Sequence, residues 1–582
     1  MTRINTKYIS RRELLKTGIH AGLGTVVLSH LPDIRRPVYA TTNFQRTTDR
    51  FQPAFQRLDE FIARHMNEYG APGMTLALAD RNGLLRSSQY GFADLKAGLK
   101  VTPQTLFEIG SISKSFVAIA IVQLAEEGKL DLHKPVREYL PWLKIESSYK
   151  PFTTHHLLSH TSGLAGVPLL TRVVATTLRT GFEPGTRFLY SNIGYVLLGF
   201  ILEAIEKRPF AEILRKRVLD PLGMSASAPV IANSIRERVA IGYGPLKPDR
   251  PFPLRGELGE APWIEVPEAA GSIAATPNDM SNYLRMLLNR GAGPKERLLS
   301  EKAFELFTKP VIRAPFRGEE ASYSYGLFVS DVGSHTLLRH TGGMVAFSSA
   351  MYADITEGFA AFASVNARLS GGYRPVAVTK YALELLSAAA RGKDLPALPP
   401  PLPSPDEIKN ATEYAGVFTS TDGRKLVLMA EDDHLAIQHN GQKIILEQAG
   451  RDRFIVKHPD FDLFTLSFGR DRDAVTEAFH GADWWINERY SGTKSFEYPK
   501  EWDSYTGHYR SDSPWYGSTR LVVRKGRLLL DGEQPILQIE TGVFRPPGET
   551  SGAERISFDT ILDGKALRMT YSGIDFYRTF TP

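Results

Sequence analysis

The sequence predicts a multidomain chain in which a large α/β or α+β domain, residues 41–394, precedes an all-β region. Three observations carry that prediction. The chain has 582 residues, more than one hydrophobic core ordinarily holds, so several domains are expected. Residues 395–405, LPALPPPLPSP, form a proline-dense spacer that favours extended backbone over helix or strand. Before the spacer helical and strand periodicities alternate, and after it short period-two runs dominate. A hydrophobic fraction of 42% and a charged fraction of 23% match ordinary soluble globular proteins and disfavour disordered, fibrous and membrane classes.

Residues 1–40 read as an address. Ser10-Arg11-Arg12-Glu13-Leu14-Leu15-Lys16 resembles a twin-arginine export signal, and the apolar stretch Thr17 to Ser29 follows it. That stretch falls short of the about 20 apolar residues a spanning helix needs. A small-residue cleavage site after Val38-Tyr39-Ala40 would start the mature chain at Thr41, periplasmic or extracellular and with no later membrane span. Most of the formal charge of +6 also sits in these residues. The near-neutral remainder offers no basic face for nucleic acid. The chain has no cysteine, and a core this large needs no disulfides.

Beyond the linker, residues 395–408, Tyr414-Ala415-Gly416-Val417-Phe418 is echoed by Tyr505-Thr506-Gly507-His508-Tyr509. Each copy opens a series of short alternating runs, with an Asn440-Gly441 turn in the first. This predicts antiparallel hairpins closing into two small barrels or sandwiches, residues 409–497 and 498–582. Trp484, Trp485, Trp502 and Trp515 fall there, and such residues more often fill a small barrel than line a ligand mouth.

Three short motifs carry the chemistry. Ser111-Ile112-Ser113-Lys114 fits the pattern Ser-x-x-Lys, as do Ser147 to Lys150 and Ser491 to Lys494. Only the first precedes an apolar periodic run, Phe116 to Val122. That context places Ser111 at the start of a buried helix with Lys114 one turn on, where an amine can take the hydroxyl proton. Tyr190-Ser191-Asn192 occupies a connector before the apolar run Val196 to Ile201. With an ordinary pKa near 10, Tyr190 becomes a base only beside a cation, for which Lys114 is the candidate. The third motif is His340-Thr341-Gly342-Gly343, whereas Lys16-Thr17-Gly18 is a decoy inside the export signal. His156 and His160 read as structural, and no metal constellation requires them.

In this order the three motifs resemble the serine β-lactamase and penicillin-binding protein superfamily. Tyr-x-Asn marks the branch of class C β-lactamases, D-alanyl-D-alanine carboxypeptidase, D-aminopeptidases and related esterases. The stretches His156 to Leu164, Asp220 to Met224 and Gly271 to Met280 strengthen the resemblance, which covers about residues 55–395. It implies a central antiparallel sheet flanked by helices, and no cofactor. It also implies Ser111 as acylated nucleophile, with Lys114, Tyr190 and His340 as its catalytic partners. Asn192, Thr341 and Gly342 would bind substrate, and the backbone N–H groups of Ser111 and Gly343 would form the oxyanion hole. His340 stands where many relatives have lysine, which weakens the case for anchoring a substrate carboxylate.

The expected function is therefore acyl transfer from an amide or ester in a small molecule or peptide, foremost one containing a D-amino acid. Carboxylesterase and β-lactamase activities are the alternatives within the family, and a non-catalytic penicillin-binding receptor is the alternative outside enzymes.

Overall fold

The computed structural model describes residues 41–43, 49–166, 177–316, 318–546 and 552–580. The expected export signal lies outside these described residues. No described helix is long and apolar enough to cross a membrane.

The first domain is built on a ten-stranded antiparallel sheet. Its path runs Thr41–Asn43, Gly83–Asp94, Gly73–Asp80, Phe359–Val365, Ser348–Asp354, His335–Gly343, Phe328–Val332, Ser322–Tyr323 and Ile312–Arg313, and Leu99–Lys100 pairs onto Gly83–Asp94. The first strands of the domain thus sit beside one of its last, which closes the domain across more than 250 residues of chain. Phe359–Val365 is buried along its whole length, as expected of a strand covered on both faces. Ala360 and Phe362 join one core, and Phe359, Ala361, Ala363 and Val365 join the other. The alternation follows from the period of two in a strand.

The larger core packs the helices Ser113–Glu126, Asn192–Glu206, Pro277–Leu288 and Glu301–Thr308 against one sheet face. Gln52–Tyr69 and Val376–Ala390 cover the other. Ser113–Glu126 is apolar nearly all round, from Phe116 to Leu124, and is buried accordingly. The proline-rich linker is pinned to the second helix layer: Arg57 donates to the carbonyls of Leu395 and Pro396 at 3.1 and 3.0 Å, and the Tyr381 hydroxyl donates to Pro396 at 3.1 Å.

The all-β region holds a closed eight-stranded barrel running from Gly416–Ser420 to Asp483–Ile486. A nine-stranded antiparallel sheet follows, whose end strands, Gln534–Pro535 and Leu537–Glu540, are adjacent in sequence. Asn440 and Gly441 join two barrel strands with φ of 47° and 77°, the left-handed pair that a two-residue hairpin needs. The two echoed segments occupy matching places: Tyr414 and Tyr505 are buried just before the first strand of each unit.

Candidate active site

Ser111 lies in the tight turn Gly110–Ile112 that feeds the helix Ser113–Glu126. The turn is held against the protein by Ile109 N–H, which donates to Ile273 at 3.0 Å, and by Ser113 Oγ, which accepts from Ile273 N–H at 3.1 Å. The strand His335–Gly343 presses against this turn. A Cβ on Gly342 would sit 1.9 Å from the Ile109 carbonyl, and one on Gly110, at φ +54°, would sit 2.8 Å from Gly343 N. Only glycine permits that approach, which brings the end of the Thr341-Gly342-Gly343 run beside Ser111.

Lys114 is completely buried. Its Nζ lies 3.0 Å from Ser111 Oγ, 2.9 Å from Asn192 Oδ1 and 2.5 Å from the Ala270 carbonyl. Burial pushes the Lys114 pKa well below its ordinary value, so the amine is driven toward the neutral form. A neutral amine has two N–H bonds and one lone pair. The Asn192 and Ala270 oxygens can only accept, so they take both N–H bonds and leave the lone pair facing the Ser111 hydroxyl.

Tyr190 precedes the helix Asn192–Glu206, which Ser191 caps by accepting from Gly194 N–H at 3.2 Å. The Tyr190 ring faces Lys114 Nζ at 5.0 Å and the His160 ring at 4.2 Å between centroids. Its buried hydroxyl makes no hydrogen bond of ordinary geometry. Burial raises the Tyr190 pKa, and the Ser111 hydroxyl and the Arg374 charge offset that only in part. Desolvation disfavours charge on both groups, which weighs against the expected pairing of a Lys114 cation with a Tyr190 phenolate.

His340 is buried beside the same cluster. Its Nδ1 lies 2.7 Å from the Thr341 carbonyl, which can only accept, so the proton sits on Nδ1 and Nε2 accepts from the Tyr323 hydroxyl at 3.3 Å. Burial, the largest cause, lowers its pKa to about 3, so His340 is a neutral hydrogen-bonding group at physiological pH. His156 closes a capping box with Thr153. His160, at φ 57°, accepts from Ser191 N–H through Nδ1 at 3.0 Å and backs the Tyr190 ring.

The cleft over Ser111, about 260 Å³, is lined by Asn192, Glu265, Glu268, Gly343, Met344 and, from the nine-stranded unit, Ser513-Pro514-Trp515. Trp515 therefore reaches the ligand mouth, whereas Trp485 fills the barrel core as expected. Sequence reasoning named Trp515 but favoured a barrel-filling role for it, and it missed the carboxyls of Glu265 and Glu268 and Arg374, none of which belongs to a motif. Arg374 lies against Gly343, its Nη2 1.9 Å from where a Cβ would stand, and its Nη1 donates to the Tyr373 carbonyl at 2.6 Å. A lone arginine after Gly371-Gly372 gave no signal, because its partner strand is distant in sequence.

A serine and a desolvated lysine in contact, at a helix start beside a glycine-edged strand of an antiparallel sheet, are the constellation of a serine hydrolase that works through an acyl-enzyme. The chain belongs to the beta-lactamase family, whose model matches residues 58–386, more than half of its length. It is 26% identical over 306 residues to a teichoic acid D-alanine hydrolase of Staphylococcus aureus (strain MRSA252), covering 50% of this chain and 69% of that protein. It is 30% identical over 266 residues to penicillin-binding protein 4 of Amycolatopsis lactamdurans, covering 42% and 67%. The octameric penicillin-binding protein homologue from Pyrococcus abyssi shares the fold, with a TM-score of 0.51 at 24% identity over 74% of this chain and all of that one.

Proposed function

We propose that this serine hydrolase cleaves an amide or ester whose acyl part is a D-amino acid or a short peptide ending in one, with Ser111 as nucleophile. The placement of the Lys114 lone pair against the Ser111 hydroxyl carries the reading. As Ser111 Oγ attacks the carbonyl carbon, its proton passes to Lys114, and the oxyanion settles on the N–H groups of Ser111 and Gly343. The Tyr190 hydroxyl, beside Ser111, then gives its proton to the departing nitrogen or oxygen and recovers one from Lys114. Deacylation repeats the steps with water in place of serine. Asn192 holds the amide of the acyl part, Thr341 and Gly342 align it along the strand edge, and His340 orients the far wall as a neutral group.

Three features support a D-aminoacyl substrate: the similarity to a teichoic acid D-alanine hydrolase, the cleft narrowed by Trp515, and the two carboxyls at its mouth, which favour an amine. The neutral His340 offers no fixed cation for the carboxylate of a β-lactam. A carboxylesterase is the second reading, favoured by the same missing cation. We place the catalytic domain at residues 41–394 and two β domains at 409–497 and 498–582. Export through the residue 1–40 signal to the periplasm or outside is part of this proposal.

The test is intact-mass spectrometry of the protein and of Ser111→Ala after exposure to a fluorescent penicillin and to a fluorophosphonate, with turnover of D- and L-alanyl p-nitroanilide and p-nitrophenyl acetate. One adduct lost in the variant and a strong preference for the D-anilide are expected. Fast ester turnover with none of either anilide favours the esterase, and absence of any adduct favours a non-catalytic receptor.

A further inference from the structure

The closed barrel brings two histidines and an aspartate to one point. His439 ends the strand His434–His439, just before the Asn440-Gly441 turn, and His458 immediately precedes the single helical turn Pro459–Phe461, which carries Asp460. One ligand atom from each of His439, His458 and Asp460 lies within 4.8 Å of the other two. His439 Nε2 is 2.7 Å from Asp460 Oδ2, and His458 Nδ1 is 3.7 Å from the same oxygen. A tetrahedral zinc centre with bonds of about 2.0 Å holds its ligand atoms about 3.3 Å apart, a value that lies between these two separations.

The hydrogen bonds inside the cluster conflict. His439 Nε2 faces the Asp460 carboxylate, which accepts, and also Asn440 Nδ2 at 3.1 Å, which donates. One ring nitrogen cannot serve both in the same protonation state. A divalent cation on the Nε2 lone pair removes the conflict, because the carboxylate becomes a fellow ligand and the exposed Asn440 amide is left to water. His458 Nδ1 accepts from Asp460 N–H at 3.2 Å, so it carries a lone pair, and a cation competes there with a long hydrogen bond only. Two neutral imidazoles and a carboxylate present one negative charge. Among the described residues no lysine or arginine pairs with Asp460, and the adjacent Lys457 is held by Glu447. A second cluster, His335, Asp354 and Glu357, has comparable spacing. There, however, the Arg391 guanidinium is bound to Glu357 and already supplies the positive charge.

From this convergence we infer that His439, His458 and Asp460 form a site for a divalent cation of the zinc class, with water completing its coordination. Imidazole nitrogens beside a carboxylate suit zinc, copper and nickel, whereas calcium and magnesium take oxygen ligands. The site is anchored on both sides. Phe461 is buried in the barrel core and meets the His439 ring edge-on at 5.0 Å, and Asp462 pairs with Arg250 of the catalytic domain. A bound cation therefore ties the end of a barrel strand to the segment that joins the barrel to the catalytic domain. Its role is structural and does not depend on the reaction at Ser111.

Isothermal titration of zinc chloride into the untagged full-length protein, stripped with EDTA and dialysed, tests the site. One equivalent is expected to bind, with affinity falling at least about tenfold in His439→Gln and in Asp460→Asn and unchanged in His335→Gln. Saturating zinc is expected to raise the melting temperature of the parent and of His335→Gln, since a ligand of the folded state alone stabilises it, and to leave the other two variants where they were. If one of those two melts early without metal, the other decides. Absence of saturable binding, affinity equal to the parent's in the well-folded variant, or binding lost in His335→Gln overturns the site. Calcium binding as tightly as zinc overturns the class of cation.

Discussion

The Glu554 carboxylate accepts a hydrogen bond from Gly166 N–H at 2.9 Å, joining residues 388 positions apart. Its other oxygen accepts from the Tyr571 hydroxyl at 3.0 Å. The same segment lies flat on the catalytic domain, since a Cβ on Gly181 would stand 2.2 Å from Ala553 N. Gly166 in turn abuts the Tyr190 carbonyl. The nine-stranded unit thus braces the backbone that carries the proposed proton donor. Glu554→Ala strands the Gly166 N–H and is expected to cost about 1–3 kcal/mol, read in urea unfolding, and to lower kcat more than it raises KM. Unchanged unfolding and kinetics would show that the contact does not brace Tyr190.

Lys114→Met keeps the buried volume and removes the lone pair. The rate of acylation by a fluorophosphonate or an anilide is expected to fall by about 10²–10⁴, the usual contribution of a positioned base. The pH profile carries the sign. Burial lowers the Lys114 pKa, so kcat/KM of the parent falls as acidity rises through that lowered value and the amine gains a proton. Rising acidity should not produce the same limb in Lys114→Met. A variant that keeps the limb assigns it to another group.

His340, held neutral with a pKa of about 3, contributes no inflection between pH 5 and 8. His340→Gln is therefore expected to lower kcat/KM about tenfold, through lost hydrogen bonds to Tyr323 and the strand edge, without changing the shape of the profile. NMR of ring-labelled histidines checks the premise directly: a His340 resonance titrating near 6.5 would sink it.

The buried neutral histidines also set the acid sensitivity of the fold. His65 has its pKa lowered to about 4 by burial and Arg64, His340 to about 3, and His160 lies well below its ordinary value. Below pH 6.5 the unfolded chain binds protons that the folded chain refuses, so stability is lost as pH falls. Each histidine contributes a slope of about 1.4 kcal/mol per pH unit. Glu108, raised to about 8, acts in the opposite sense between 4.5 and 8 and offsets one of the three. A net loss of stability is expected between pH 6 and 5, measured by urea unfolding. A midpoint that holds or rises on acidification contradicts this balance.

Local signals made the helix Ser113–Glu126, the all-β region and its hairpins legible in the sequence. An apolar run after Ser111-Ile112-Ser113-Lys114 reports a buried helix, Asn440-Gly441 reports a hairpin, and Pro399 to Pro405 reports a spacer, each through backbone preferences acting within a few residues. What stayed hidden depends on chain folding back from afar. Arg374 reaches Gly343 only because Ser348–Asp354 pairs with His335–Gly343, and Trp515 reaches the cleft only because one β unit docks on the catalytic domain. The charge states were hidden for a related reason. Lys114 and Tyr190 have ordinary pKa values as residue types, and burial, which no spacing encodes, shifts both of them toward the neutral form.

Trp515 lines both the cleft over Ser111 and the cavity beside it, yet it comes from the nine-stranded unit, outside the catalytic domain that carries Lys114 and Tyr190. Its indole limits which acyl groups enter without taking part in proton transfer. Trp515→Ala removes that limit while the Ser111–Lys114 contact at 3.0 Å stays in place. Bulky acyl esters excluded by the parent are expected to be accepted, with kcat/KM for a phenylacetyl ester rising about tenfold or more. The D-alanyl anilide is expected to lose affinity, because the widened cleft leaves apolar surface wet at about 25 cal/mol per Å². The discriminating measurement is the pair of KM values, large and small donor, on the same preparation. Opposite shifts mean that the β unit filters substrates, whereas parallel losses in kcat mean that Trp515 positions the catalytic groups.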